Sequence, residues 1–368
     1  MEDKIDNSGK ELLDMDEKGN PIVKKEKEKT KNVSSNIYKY SGIIIIIFIL
    51  LGLCFYFLNK NANNKGVFDE TTLKNLKLKN RVFFGAIIHD LEKIEKIAQN
   101  DVALIITDGA IVGDLPPNEK VFRVDKDEYI EELKKLPETV HKYNSYILLD
   151  LVHLGLHSPF EPVYSPSGDK TLQKGIQSNE MTKEDILRVQ DFFVQGAIRA
   201  KKAGYDGIEI HAGHLTLCSS FLSKKFNRRN DDYGGSDEKR ARFLVEIVKK
   251  IREAVGNDMI IFAKIDGVDK EFGFTESGFL TAGKMLEEVG VDLIEVSGAN
   301  PIKQGDIFFY NDTKKLAEKV NIPVTCIGGI KTYEHADYVL KNSKIEYVAL
   351  SRTLLKEPDL IKKWPRNK

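Results

Sequence analysis

The sequence is poor in cysteine and carries no net charge, and both absences narrow the classes of protein to consider. Three of its 368 residues are cysteines, Cys54, Cys218 and Cys326, and they are scattered, unlike a metal cluster or a disulfide framework. The 56 basic and 56 acidic residues cancel to a formal net charge of zero. We therefore expect buried thiols, no metal site and no nucleic-acid partner drawn by a global positive charge.

Charge is also missing from one long run, Gly42–Leu58, which reads GIIIIIFILLGLCFYFL. A helix of this length spans about 25 Å, and with Tyr40 and Ser41 it approaches the hydrocarbon core of a bilayer. The run lacks the polar face of a buried amphipathic helix and the small residues of a signal-peptide cleavage site. The sequence therefore predicts a transmembrane helix over residues 41–59 and a single-pass membrane protein.

The segments on either side of this run are polar. Residues 1–40 are charged, with the run KKEKEKTK at Lys24–Lys31, and are predicted to form a disordered tail. Residues 60–75 are predicted to be a linker. Lysines are denser before the apolar run than after it, which favours a cytoplasmic amino terminus and an exported carboxyl-terminal domain.

From Leu76 onward, short apolar runs alternate with helical patterns, as a parallel βα barrel requires. Helices are predicted over Lys183–Ala203, with Thr182 as N-cap, and over Glu238–Ala254, with Ser236 as N-cap. The predicted strands are Val82–Ile88, Val102–Ile106, Tyr146–Val152, Gly207–Ile210, Ile260–Ile265, Leu293–Val296, Val324–Ile327 and Tyr347–Leu350. We predict the fold class α/β, a (β/α)8 TIM barrel over residues 76–368, preceded by the disordered tail and one transmembrane helix.

The last two strands are followed by residues suited to bind an anion. Gly328 and Gly329 follow the seventh strand, where glycines let backbone N–H groups approach a phosphate. Ser351 and Arg352 follow the eighth and supply a hydroxyl and a guanidinium. Barrel enzymes bind phosphate in these two loops, so the sequence predicts a phosphate site here.

The middle strands end in titratable side chains. His211 and His214 follow the fourth strand, at the face of a βα barrel that carries active sites. Lys264 lies at the end of the fifth strand among apolar neighbours, where an ammonium needs an anion. A salt bridge to Asp266 or Glu295 is the alternative to a catalytic lysine.

The segment from the fourth strand into the next helix resembles the old yellow enzyme family of FMN-dependent ene reductases. Its family motif has a strand D-G-(V/I)-(E/Q)-I-H, a second His, then F-L-S-x-x-x-N-x-R-x-D-x-Y-G-G-S and R-A-R-F. The matching residues are Asp206, Gly207, Glu209, His211, His214, Phe221, Leu222, Ser223, Asn227, Arg229, Asp231, Tyr233, Gly234, Gly235, Ser236, Arg240 and Arg242. The likeness extends over about Leu76–Trp364.

This resemblance implies an FMN-binding barrel that takes electrons from NADH or NADPH and reduces an activated alkene or a similar electron-poor acceptor. In the family, His211 and His214 would hydrogen-bond the carbonyl or nitro oxygen of that small-molecule substrate and stabilise the developing enolate. Lys264 would face the flavin N1/C2 carbonyl. The other implied flavin contacts are Ala86, Asp150 and Gly298, with Gly328, Gly329, Ser351 and Arg352 at the FMN phosphate.

Four departures from the family pattern are visible. Thr216 stands where the family has a proton-donating Tyr. Asp150 replaces a Gln at the flavin pyrimidine edge, and Leu156 replaces an Arg. A carboxylate beside an anionic reduced flavin is repulsive unless it is protonated or paired, with Lys264 as the candidate partner. The loop after the first strand is short, and Ile87 or Ile88 replaces the polar residue near flavin N5.

These departures keep alternatives open. The first is a degenerate, non-catalytic membrane-anchored barrel that acts as a binding or scaffold protein. A different FMN barrel, such as a dihydroorotate or dihydrouridine oxidoreductase, is disfavoured because it needs a Cys or Ser base and lacks the NxRxDxYGGS segment. The sequence leaves open the substrate, the choice of NADH or NADPH, flavin retention and the oligomeric state. The side of the membrane is also open, because nicotinamide donors are cytosolic whereas the lysine distribution favours export.

Overall fold

The computed structural model describes residues 48–50, 65–85, 87–116, 119–299 and 305–366. The chain divides into two compact units, residues 1–61 and residues 62–368, and each is described by itself.

The first unit corrects the membrane prediction. Of the predicted transmembrane segment 41–59, only Phe48–Leu50 are described, as helix, and the predicted tail over residues 1–40 lies outside the described residues. None of the helices in the described ranges is long and apolar enough to cross a membrane. This finding contradicts the predicted single-pass membrane localisation.

The second unit is a closed barrel of eight parallel strands. Each strand pairs with its neighbours in the chain, and the last strand pairs with the first through Val348↔Val82 and Leu350↔Phe84. The strands are β1 Val82–Phe84, β2 Leu104–Ile111, β3 Tyr146–Val152, β4 Gly207–Ala212, β5 Ile260–Asp266, β6 Leu293–Ser297, β7 Val324–Ile327 and β8 Tyr347–Leu350. The predicted (β/α)8 barrel is confirmed.

Three strands, β3, β7 and β8, have the bounds predicted from the sequence, and the largest differences fall on β1 and β2. β1 ends at Phe84 rather than Ile88. β2 starts later than predicted and runs on to Ile111, past a register shift between Ile106 and Gly109. A Cβ on Gly109 would lie 2.7 Å from Val152 Cγ1, so a residue without a side chain is needed where this irregular strand meets β3.

Helices pack outside the barrel, and several begin at side-chain caps. Thr182 closes a capping box with Asp185, and the Ser236 hydroxyl accepts the backbone N–H of Lys239, as predicted for both N-caps. The α-helices are α1 Leu91–Ala98, α2 Ile130–Leu133, α3 Lys135–Val140, α4 Lys183–Lys202, α5 Leu217–Leu222, α6 Asp237–Val255, α7 Glu276–Glu288, α8 Tyr310–Lys319, α9 Tyr333–Lys341, α10 Arg352–Lys356 and α11 Leu360–Lys363. Short 3₁₀ turns cover Asp127–Tyr129, His141–Tyr143 and Gly155–His157, and the two-residue strands Tyr164–Ser165 and Asn179–Glu180 pair with each other.

The amino-terminal end of the barrel is closed by an antiparallel hairpin, Thr71–Leu73 with Leu76–Leu78, which begins inside the segment predicted as a linker. Leu73, Leu76 and Leu78 are buried against the apolar side chains that fill the lower barrel. Among these, Phe83 and Tyr347 stack with ring centroids 4.6 Å apart. The amino-terminal half of the barrel interior is therefore filled mainly by apolar side chains.

Candidate active site

A cavity of about 610 Å³ opens at the carboxyl ends of the barrel strands, a size typical of small-molecule sites. One end is lined by Gly328, Gly329, Ser351 and Arg352. The other is lined by residues of β4 to β6 and the loops that follow them, His214, Lys264 and Ser297. The structure thus brings most of the residues predicted for the site to one cavity.

The first end is shaped to receive an anion. Gly328 and Gly329 have φ of +98° and +76°, values that favour glycine. A Cβ on Gly328 would lie 2.6 Å from the Phe308 ring, and one on Gly329 would lie 2.6 Å from the backbone N of Ile307. Within the described residues, Arg352 has no carboxylate partner. Because both glycines line the cavity beside a guanidinium that has no carboxylate partner in the described residues, their backbone N–H groups and Arg352 are suited to bind the phosphate of a cofactor.

Two predicted cofactor contacts, Gly298 and Ala86, stay predictions. Gly298 follows β6, and a Cβ there would lie 2.4 Å from Phe309 Cε1, so the group that approaches this glycine closely is an aromatic ring. Ala86 lies outside the described residues. Phe308 and Phe309, which line the cavity, were not predicted from the sequence, because they lie in a loop with no periodic pattern.

Lys264 lies between two buried carboxylates. Its Nζ is 2.6 Å from Glu209 Oε2 and 3.1 Å from Glu295 Oε1, and all three side chains are almost completely buried. The salt bridge to Glu295 was the predicted alternative to a catalytic lysine, whereas Asp266 is not a partner in these contacts. Glu209 was missed as a site residue, although strand alternation places it on the same face as His211.

Around Lys264, the acidic side chains outnumber the basic ones, with Glu209, Glu295 and Asp150 all close to one ammonium. Burial raises the pKa of Glu209 well above its usual value, an effect that the Lys264 charge opposes and that Glu295 and Asp150 reinforce. Burial lowers the pKa of Lys264, but the charges of Glu209 and Glu295 outweigh it and the net shift is upward. Lys264 is therefore a permanent cation, and one of the carboxyl groups around it is most readily held as the neutral acid.

The two histidines form a continuous chain with Asp150 and Ser297. His211 Nδ1 lies 2.7 Å from Asp150 Oδ2, and His211 Nε2 lies 3.0 Å from His214 Nδ1. His214 Nε2 then lies 2.9 Å from Ser297 Oγ. Lys264 was the candidate partner of Asp150, and the side-chain contact of Asp150 in the structure is with His211. His214 and Ser297 line the cavity, and His211 and Asp150 lie behind them.

The turn that carries His214 is held from below by Asp266. His214 and Leu215 both have φ of +59°, and the His214 N–H donates to Asp266 Oδ1 at 2.9 Å. Burial raises the pKa of Asp266 to about 6, against the hydrogen bonds from Ser219 and His214. Burial, with the charges of His211 and Lys264, lowers the pKa of His214 well below its usual value. His214 is therefore a neutral imidazole at pH 7.

The residues that depart from the family pattern have structural partners. The Thr216 hydroxyl lies 2.9 Å from both His211 O and Gly213 O, so it is directed at the backbone of the turn rather than into the cavity. Leu156 is fully buried in an apolar cluster with Leu215 and Phe226. Neither side chain is placed to contact a ligand in the cavity.

The chain is similar to known proteins in both sequence and fold. The model of the NADH:flavin oxidoreductase / NADH oxidase family matches residues 67–368. An NADH oxidase of Thermoanaerobacter brockii is 32% identical over 334 aligned positions that cover 82% of this chain and 50% of the relative. An NADPH dehydrogenase of Geobacillus sp. (strain WCH70) is 31% identical over 319 positions, 81% of this chain and 92% of the relative. The chain thus spans half the length of the first relative and nearly all of the second.

The fold is also found among solved structures. Morphinone reductase superimposes with a TM-score of 0.71 at 23% identity, over 83% of this chain and 91% of that one. At this identity the likeness concerns the fold alone. It matches the closed eight-stranded barrel described above.

Proposed function

Because the chain belongs to the NADH:flavin oxidoreductase / NADH oxidase family, it is an FMN-dependent oxidoreductase supplied with electrons by NADH or NADPH, and we propose that its acceptor is an activated alkene or a similarly electron-poor small molecule. The alternative of a non-catalytic barrel is not favoured by these relatives. Bound FMN supplies the hydride that such an acceptor takes up.

The observation that carries the proposal is that residues suited to bind an anion line one end of a cavity whose other end is lined by polar and charged side chains. The glycine turn of Gly328 and Gly329 with Ser351 and Arg352 would hold the FMN phosphate. Lys264 would lie near the flavin pyrimidine, and its positive charge is partly neutralised by the ion pairs with Glu209 and Glu295. Roles beside the flavin for Asp150, Ala86 and Gly298 stay predictions.

His214 is the histidine placed to meet the acceptor, because it lines the cavity and His211 lies behind it. A ring N–H aimed at a carbonyl or nitro oxygen would stabilise the negative charge that hydride addition creates. His211 would orient that ring through its 3.0 Å contact with His214 Nδ1. The two histidines therefore take different roles in the proposal, one at the substrate and one behind it.

The test is a spectroscopic titration of the full-length protein with FMN, followed by two additions without oxygen. We expect flavin absorbance that bleaches with NADPH or NADH and returns when cyclohexenone or a nitroalkene is added. Flavin that is reduced but re-oxidised only by oxygen would refute the proposed acceptor class. Protein that never binds FMN would contradict the assignment of the cradle.

A further inference from the structure

We propose that Ser297 is the proton donor that completes reduction of the acceptor, and that His214, His211 and Asp150 resupply its proton through the hydrogen-bonded chain behind it. This inference rests on the proposed function, because a proton is needed only once hydride has been added. It assigns a catalytic role to Ser297 and His214, which line the cavity, and a positioning role to His211 and Asp150.

The geometry favours Ser297 over the other hydroxyls near the histidines. Ser297 Oγ lies 2.9 Å from His214 Nε2, and both side chains line the cavity. Thr216, which stands at the family's Tyr position, directs its hydroxyl at the backbone oxygens of His211 and Gly213. The Ser219 hydroxyl is fully buried and donates to Asp266. Of these three, Ser297 alone has both access to the cavity and a partner that can return its proton.

The direction in which the hydrogen bonds between Asp150, His211, His214 and Ser297 donate depends on where the extra proton is. With one proton in excess, His211 is an imidazolium whose Nδ1–H donates to Asp150, 2.7 Å away. Its Nε2–H then donates to His214 Nδ1, which leaves His214 to donate from Nε2 to Ser297. His214 is neutral in this arrangement, which agrees with its lowered pKa. The Ser297 O–H is thereby free to point into the cavity.

Proton delivery then balances in four linked steps. Hydride addition to the β-carbon of the acceptor leaves an anion delocalised onto the α-carbon. The Ser297 O–H bond breaks as a C–H bond forms at that carbon, and Ser297 Oγ takes the proton from His214 Nε2. His214 Nδ1 takes the proton of His211 Nε2, so His211 becomes neutral and still donates from Nδ1 to the Asp150 carboxylate. His211, whose side chain is 12% exposed, regains a proton from solvent between turnovers.

The first test reads protonation directly and needs no turnover. The chain has seven histidines, few enough for nitrogen NMR of the full-length protein labelled at histidine. As the pH is lowered until the hydrogen-bonded chain holds its extra proton, with and without FMN, we expect His214 to be protonated at Nε2 alone. If His214 of the wild-type protein carries its proton on Nδ1, it donates to His211 and has no proton on Nε2 to give to Ser297. That result would overturn the proposal.

The second test separates hydride transfer from proton transfer with a nitroalkene, whose reduction passes through a nitronate that absorbs in the ultraviolet. In Ser297→Ala, the flavin should still be re-oxidised at a rate within about threefold of wild type. Decay of the nitronate should slow by roughly 10²-fold or more, the range of general acid catalysis. Ser297→Thr keeps a hydroxyl and should restore most of the rate.

Thr216→Val is the matched control, because it removes a hydroxyl from the turn that carries His214 but none of the side chains that link Asp150 to Ser297. Slow nitronate decay in Thr216→Val, with Ser297→Ala unchanged, would assign proton donation to Thr216 and overturn the proposal. A wild-type flavin that the nitroalkene does not re-oxidise would refute the proposed function instead. The NMR result stands apart from that outcome, so the two failures are distinguishable.

Discussion

Removing the charge of Lys264 should destabilise the fold by an amount that depends on pH. Its Nζ lies 2.6 Å from Glu209 Oε2 and 3.1 Å from Glu295 Oε1, in a layer shielded from water. Removing one partner of a buried ion pair costs about 3–5 kcal/mol because the remaining charge is left uncompensated. We therefore expect Lys264→Met to lower the free energy of unfolding of the flavin-free protein by that amount at pH 7.

A second estimate gives the pH dependence. Without Lys264, one more carboxyl must be buried uncharged in addition to Glu209, whose pKa is already raised. Protonating an ordinary glutamate at pH 7 costs about 3.7 kcal/mol, and at pH 5 about 1 kcal/mol. The folded state of the variant binds the extra proton, so its deficit relative to wild type shrinks as the pH falls. The difference between pH 7 and pH 5 should be roughly 2.5–3 kcal/mol.

Urea unfolding measures both quantities, with the fluorescence of Trp364 as the probe. Trp364 is the single tryptophan, is 6% exposed and packs edge-on against Tyr333. Lys284→Met, which removes the partner of Glu287 from the protein surface, is the control and should cost less than about 1 kcal/mol. A loss below about 1 kcal/mol for Lys264→Met at pH 7, or a loss equal at both pH values, would refute the reasoning.

Three further perturbations test other parts of the site. Gly328→Ala should weaken FMN binding at least ~10-fold in a fluorescence titration, because its Cβ would collide with the Phe308 ring and its φ is positive. Gly175→Ala is the control and should leave FMN binding unchanged, because Gly175 also has positive φ but its Cβ would meet open space. Burial in the folded state raises the pKa of Asp266 to about 6, so the folded protein binds a proton more readily than the unfolded chain. The contribution of Asp266 to the free energy of unfolding therefore increases as the pH falls from about 6 to 4, by up to ~3 kcal/mol. Asp266→Asn should abolish that increase in pH-dependent unfolding, and an unchanged slope would contradict it. Thr325→Val replaces a buried hydroxyl that has no hydrogen-bond partner within the described residues, and should raise the unfolding free energy by about 1 kcal/mol; a loss would show that the hydroxyl is bonded.

The sequence predicted the barrel well because its strands are short apolar runs punctuated by turns. The bounds of β7 and β8 agree residue for residue, since Val324–Ile327 and Tyr347–Leu350 are apolar runs with buried residues on both faces. Pro323 and Gly328 flank the first run, and Glu346 and Ser351 flank the second. The predicted anion cradle also needed only local information, namely two glycines after one strand and Ser-Arg after the next. Sequence order and strand register sufficed for these features.

Side-chain partnerships were harder to predict because they depend on neighbours across the barrel. The pairing of Lys264 with Glu209 follows from the register of β4 against β5, which no single segment specifies. The contact of His214 with Ser297 depends on a turn with positive φ at two consecutive residues, and neither of these is glycine. From the sequence, Asp150 was interpreted as a departure from the family pattern at the flavin edge, whereas in the fold its carboxylate contacts His211.

The pairing of β8 with β1 has a consequence for synthesis of the chain. The ring closes through contacts such as Val348↔Val82, so it cannot be completed until nearly the whole barrel has been translated. At about 5–20 residues per second, the intervening segment takes roughly 15–50 s to emerge. During that interval β1 has one unpaired edge, which is a template for association with other nascent chains. A polypeptide released before β8 would keep that edge permanently, so premature termination should yield aggregates rather than a smaller enzyme.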